Sequence, residues 1–332
     1  MAVRSVRFFC SALLIVLFVM CMTERAAAAT GTPISACGIT ITVPGNYYVT
    51  RNLTGPSGTA CIVISANNVT IDLQGNTLTG NGTGYGIFTN CQCILSNAAV
   101  VNGTVQNFSH GVFLDSSYSA VVNLLVKNNT GTLSNGNDAT GVFVRDYSVV
   151  ANTTVSGNAK IGIGAGSGTI IFNTHVENNA SHGIYPPDVT IEESEVNNNG
   201  GLGIFSGGGS VINSTFRGNL AGGITLFNNN NSVVNSVVNQ NGGDGIFIGS
   251  ISGNNNSVIN SAVEQNDGNG ISIVHGVNTS GSVTANTVRN NTKVGISLVC
   301  PAIAIENTVK NNAGGNLITS DNTCLLLGNT AP

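Results

Sequence analysis

The chain has 332 residues, among them 43 glycines and 48 asparagines, with 8% charged and 5% aromatic residues and a formal net charge of −4. At 41% hydrophobic content it holds too much Val and Ile for a disordered polar chain. Asn, Gly, Ser, Thr and Val are weak helix formers, which disfavours helical enzymes, coiled coils and doubly wound nucleotide folds.

Residues 1–29 read as a cleavable export signal. Arg4 and Arg7 precede a 15-residue apolar run at 8–22, and Ala27-Ala28-Ala29 supplies the small residues of a cleavage site. The run is short for a membrane span and no later stretch has 18 uninterrupted apolar residues. A secreted or periplasmic chain without a membrane span is therefore expected. It would carry 8 Lys and Arg against 14 Asp and Glu, with no basic run, which argues against a nucleic-acid partner. Six cysteines would remain. Cys37 and Cys61 lie 24 apart, as do Cys300 and Cys324, while Cys91-Gln92-Cys93 is a closer pair. Structural disulfides of open connectivity are expected, with a metal-type pair at Cys91 and Cys93 as the alternative.

After a segment at 30–60 expected to cap the fold, residues 61–316 repeat. Gly followed by Ile or Val recurs at Gly86, Gly111, Gly141, Gly162, Gly183, Gly203, Gly223, Gly245, Gly270 and Gly295, at spacings of 20 to 30. Two further columns keep phase over 11 repeats. One is Asn76, Asn102, Asn123, Asn152, Asn173, Glu193, Asn213, Asn235, Asn260, Asn286 and Asn307. The other is Asn81, Asn107, Asn129, Asn158, Asn179, Asn199, Asn219, Asn241, Asn266, Asn291 and Asn312. Between them lie short alternating stretches that read as strands, with Asn and Gly at the turns. A repeat of about 20 residues cannot bury its own apolar row and must stack on its neighbours. Parallel stacking at about 4.8 Å places equivalent residues above one another, so each asparagine column is expected to form a buried amide ladder.

These motifs resemble the right-handed parallel β-helix proteins of the pectin-lyase-like superfamily. The resemblance implies an all-β, single-stranded right-handed solenoid of about 11 turns. It also implies a role in binding or processing an extracellular polysaccharide by lyase, epimerase or hydrolase chemistry. Ser-His-Gly at 109–111 and 181–183 is similar to the Gly-His-Gly element of polygalacturonases but lacks its companions. Tyr185-Pro-Pro-Asp188 is similar to an Asp-Pro-His-Asp element of alginate epimerases without its histidine. A non-catalytic surface or matrix protein displaying a repetitive binding face is the alternative. A monomer without cofactor is expected, with a divalent cation such as calcium as an option. Loops are expected at 130–139, 249–256 and 274–281, and a C-terminal cap at 317–332.

Three outward features are candidate sites. Stacking brings His175, Glu177, Glu195 and Arg217 onto one patch, where a His or Glu suits general-base chemistry and an Arg suits a uronate carboxylate. The bland alternative is a solvated face of weak salt bridges. Asp115, Arg145, Asp146 and Asp188 follow the Gly-Ile strand and suit a cation with an acidic sugar, or simply keep the rod soluble. Phe88, Phe113, Phe143, Tyr185, Phe205 and Phe247 form an outward row, broken at Gly164 and Thr225. That row suits pyranose rings or mutual stacking. Glu193, the break in its asparagine column, is a carboxylate held neutral by burial or an outward substitution.

Overall fold

The computed structural model describes residues 31–90, 95–131, 140–250, 255–275 and 281–332. The expected export signal and Cys91-Gln92-Cys93 lie outside the described residues, as do 132–139, 251–254 and 276–280 of the three expected loops.

Regular structure in the described residues is entirely β, and most coils contribute three short strands, while Ala98–Gln106 and Ala120–Lys127 each run unbroken through two faces. One coil illustrates the rest: Ile161–Ala165 on face A, Thr169–Phe172 on face B and His175–Glu177 on face C. Each strand pairs in parallel with its equivalents one coil before and one coil after. Thirteen strands stack on face A, against the 11 turns that the asparagine columns predict. The coil already begins inside 30–60, where Ile39–Ile41 pairs with Ile62–Ile64. It continues past residue 316, where Leu317–Thr319 pairs with Ile296–Leu298. Cys37 is disulfide-bonded to Cys61 and Cys300 to Cys324, so each bridge joins neighbouring coils near one end.

The interior follows from alternation. Ile87, Val112, Val142, Ile163, Ile184, Ile204, Ile224, Ile246, Ile271 and Ile296 point inward from face A with 0% exposure. Each such side chain contributes about 1.5–3 kcal/mol by burial. The anchor glycines are required by crowding. A Cβ on Gly203 would lie 2.6 Å from the Gly223 carbonyl oxygen, 2.8 Å from Asn219 Nδ2 and 2.8 Å from the Phe216 ring.

The two asparagine columns part ways. The later one is the expected buried ladder, from Asn129 to Asn312. Each carboxamide donates to the next Oδ1 at 2.8–3.1 Å, and the same oxygen accepts the backbone N–H at 3.0–3.1 Å. The remaining amide proton is used as well, as where Asn199 Nδ2 donates to the Val176 carbonyl at 3.1 Å. Contrary to expectation, Asn81 and Asn107 are not rungs. The ladder position on that coil is Phe108, whose N–H donates to Asn129 Oδ1 at 3.0 Å and whose ring fills the space over Gly55 and Gly80.

The earlier column is not a buried ladder. Asn102, Asn123, Asn152, Asn173, Asn213, Asn235 and Asn260 occupy left-handed backbone at φ 44–60° and turn the chain from face B to face C. Their amides bond one another on the outside, as at Asn173 to Asn152 (2.9 Å). The inward position is the next residue: Thr153, Thr174, Ser194, Ser214, Ser236 and Ser261, each at most 3% exposed. Asn286 and Asn307 belong to this inner column, and the left-handed corners on their coils are Ala285 and Glu306. Glu193 is likewise a left-handed corner residue (φ 51°) exposed to solvent, the outward substitution and not the buried carboxylate of the two alternatives.

The outside of face B is apolar near its start. Ala99, Val101, Ala120, Val122 and Ala151 form a second small cluster against Val149, Ile170 and Phe172.

Candidate functional site: the outer surfaces of faces A and C

On face A the outward row is in register through Phe88, Phe113, Phe143, Gly164, Tyr185 and then Phe205, Thr225, Phe247. Its rings stack on one another in two groups. Tyr85, Phe88, His110, Phe113 and Phe143 form the first, with Phe113 and Phe143 centroids 4.7 Å apart at 19°. His182, Tyr185, Phe205, Phe227 and Phe247 form the second, with Tyr185 and Phe205 5.5 Å apart at 6°. Tyr185 is 46% exposed, the most open ring of the row.

The two Ser-His-Gly histidines sit beside these rings. His182 Nδ1 accepts the Leu202 N–H at 3.0 Å, and His110 Nδ1 accepts the Thr140 N–H at 3.1 Å. Each imidazole is thereby fixed in one tautomer, with Nε2 carrying the proton when neutral. Burial lowers the His110 pKa to about 4, so this ring is neutral and serves as a stacking element.

At the turn from face A to face B, Arg145 Nη1 bonds Asp115 Oδ1 at 3.0 Å. Asp146 Oδ1 accepts the Ser167 N–H at 2.8 Å, and Asp188 is exposed two coils further on. Tyr118 and Tyr147, which sequence reasoning missed, are exposed at this same corner, both at φ 57° and stacked at 5.5 Å. A bulky residue in left-handed backbone is costly, whereas Asn68, Asn97 and Gly168 turn the same corner on neighbouring coils. Alternation gives no hint of them, because they lie outside the strands.

On face C the expected columns are in register: Thr154, His175, Glu195 and Thr215 in one, Ser156, Glu177, Asn197 and Arg217 in the other. His175 Nδ1 lies 3.3 Å from Glu195 Oε2, both side chains being about half exposed (52% and 53%). Arg217 turns away from the acidic pair and donates to Gln240 Oε1 at 2.7 Å. Asn197 stands between Glu177 and Arg217. His175, Glu195 and Arg217 are exposed on this face and Glu177 is half-buried. Glu192, unnoticed in the sequence, faces out between Phe172 and Ile212 on face B. Burial, and secondarily the charge of Glu193, raises its carboxyl pKa. Among the described residues no cluster of three or more His, Cys, Asp or Glu side chains is arranged to hold a metal ion, and no helix is long and apolar enough to cross a membrane.

Three parallel faces, a continuous inward aliphatic column and an internal amide ladder define a parallel β-helix carrying its chemistry on outward rows. The family model for the right-handed beta helix region matches residues 93–231 and 188–331, so the chain belongs to that family. No curated protein matches the sequence. Among solved structures, the chain is similar to the A-module of the mannuronan C-5 epimerase AlgE6 from Azotobacter vinelandii, at 13% identity over 95% of both chains with a TM-score of 0.58. It is also similar to the Dettilon tailspike protein gp208, at 14% identity over 89% of this chain and 60% of that one, with a TM-score of 0.53. Both likenesses are of fold.

Proposed function

We propose that this protein binds a polysaccharide of the extracellular or periplasmic space along face A, with the outward rings stacking on pyranose rings. The observation that carries the reading is the aromatic row, kept in register over successive coils while the neighbouring inward column is uniformly aliphatic. Folding needs the aliphatic column and makes no demand for rings on the outside. Carbohydrate recognition uses such rings because their apolar faces match the C–H faces of sugars while hydroxyls stay solvated at the edges. The fold shared with a mannuronan epimerase module supports the reading. Two disulfides and the apolar run at 8–22 suit an exported chain. Asp115, Arg145, Asp146 and Asp188 supply polar contacts at the edge of the row, with a divalent cation as an optional bridge to an acidic sugar.

A second reading, catalysis on face C, is favoured by the His175–Glu195 contact at 3.3 Å, which would pair a base with its orienting carboxylate, with Glu177 and Arg217 alongside. Calorimetry against a panel of neutral glucans and polyuronates separates the two. Binding without turnover, weakened by Tyr185→Ala and Phe205→Ala but not by His175→Ala or Glu195→Gln, is expected. New reducing ends or unsaturated uronate, lost in His175→Ala, would replace the first reading by the second. No binding to any glycan would end both.

A further inference from the structure

Tyr118 and Tyr147 turn the corner from face A to face B on consecutive coils, 60% and 59% exposed, more open than Tyr185 of the face A row. Both stand in left-handed backbone at φ 57°, which disfavours bulky side chains, and neither ring belongs to the core. The fold does not require them. Asn68 and Asn97 turn the same corner on the two preceding coils, and Gly168 turns it on the next. Backbone strain of this kind clusters at functional sites. The two rings lie nearly parallel, with 17° between their planes and centroids 5.5 Å apart. A Cβ on Gly168 would lie 2.8 Å and 3.0 Å from two carbons of the Tyr147 ring. That ring therefore lies along the rod across the next coil. Polar groups stand beside the pair: Arg145, held by Asp115 at 3.0 Å, and Asp188, exposed at the corner position that follows Gly168.

We propose that the Tyr118–Tyr147 pair is an exposed stacking platform for an uncharged pyranose unit of a glycan, with Arg145 and Asp188 bonding its hydroxyls at the edges. The inference rests on the polysaccharide reading above and extends the binding surface past the edge of face A. Phe143 and Tyr147 are four residues apart, at most about 14 Å, so one oligosaccharide reaches both. Tyrosine suits the role because it sets an apolar ring face beside a hydroxyl that both donates and accepts. Two such rings offer about 300–500 Å² at most, short of the about 800 Å² per partner of a stable protein interface. A sugar unit needs no more than that. The charge at the corner selects against a uronate. Asp115 already holds Arg145, and Asp146 and Asp188 leave the corner net negative, so a further carboxylate meets like charge.

The test is calorimetry on the whole chain with a neutral β-glucan oligosaccharide and an oligogalacturonate of equal length. Intrinsic emission is followed alongside, which with six tyrosines and no tryptophan reports tyrosine alone. The wild type is expected to bind the glucan at least about tenfold more tightly than the galacturonate, with a change in emission. Tyr118→Asn and Tyr147→Asn, which copy the neighbouring corners, are expected each to weaken glucan binding about tenfold and to shrink the emission change. Both are expected to keep or raise Tm, a combination that a purely structural role for the rings does not give. If either fails to fold, the glycine variant at the same position, which copies Gly168, gives the same reading. A wild type that prefers the galacturonate, or variants that bind glucan as the wild type does, would overturn the platform and leave the face A reading standing. A wild type that binds neither these probes nor the wider panel removes both.

Discussion

At the corner from face C to face A, the asparagines from Asn129 to Asn312 point inward and are at most 8% exposed. At the corner from face B to face C, those from Asn102 to Asn260 point outward and take φ of 44–60°. The inner set is needed for its carboxamide, which is two donors and a two-fold acceptor, all of them used where water cannot reach. The outer set is needed for its backbone, because asparagine enters the left-handed region at lower cost than other side chains. One residue type thus answers two different physical problems about five residues apart in every coil. The outer column accordingly tolerates Glu193, Ala285 and Glu306, while the ladder from Asn129 to Asn312 admits no substitute.

The sharpest way to break this contrast is Asn219→Leu. It removes the Oδ1 that accepts both the Asn199 N–H and one Asn199 amide proton, and it takes the carboxamide donor from the Val196 carbonyl and from Asn241 Oδ1, which keeps only the backbone N–H of residue 219. A loss of about 3–5 kcal/mol is expected in urea unfolding, summed over buried groups left without partners. A loss below about 1 kcal/mol would show the ladder to be dispensable.

Burial also sets the protonation of His110, and pH reads it out. His110 has its pKa lowered from 6.5 to about 4 by burial, so the unfolded chain binds more protons between those values. Stability contributed by the neutral ring is complete above pH 6.5 and falls as the pH drops toward 4, by up to about 3 kcal/mol. Replacing it in His110→Gln should flatten that part of the profile. Identical acid slopes in wild type and His110→Gln would contradict the assignment.

The smallest effect tests the outer corner. Ala285 sits at φ 56° where most coils place asparagine, so Ala285→Asn should raise stability by about 0.5–1 kcal/mol. A destabilised variant would mean that the outer column is selected for its side chains after all.

Most of the fold was legible because the coil repeats. Once Gly203 and Gly223 are aligned, so are Phe205 and Thr225, or Glu195 and Thr215, and the face A and face C columns appear in the structure as the repeat predicted. The candidate patches were less legible. Glu177, Asn197 and Arg217 share one column in the order the repeat spacing predicts, but Gln240 takes the guanidinium. Register says which residues are neighbours and leaves open which rotamer each one chooses. Tyr118 and Tyr147 escaped because corner residues obey neither strand nor helix periodicity.

The sequence alone determined the period, the parallel stacking and the aliphatic interior, since alternation with a repeated coil length can bury its apolar row in no other arrangement. Only the tertiary structure decided which way each asparagine faces. A shift of one residue turns a side chain from the interior to solvent, and in a chain where Asn-Asn and Asn-Ser follow one another the letters are compatible with both. The left-handed backbone at Asn213 and Ala285, and the Phe108 ring that begins the ladder, resolve that choice through contacts between coils that no single repeat contains.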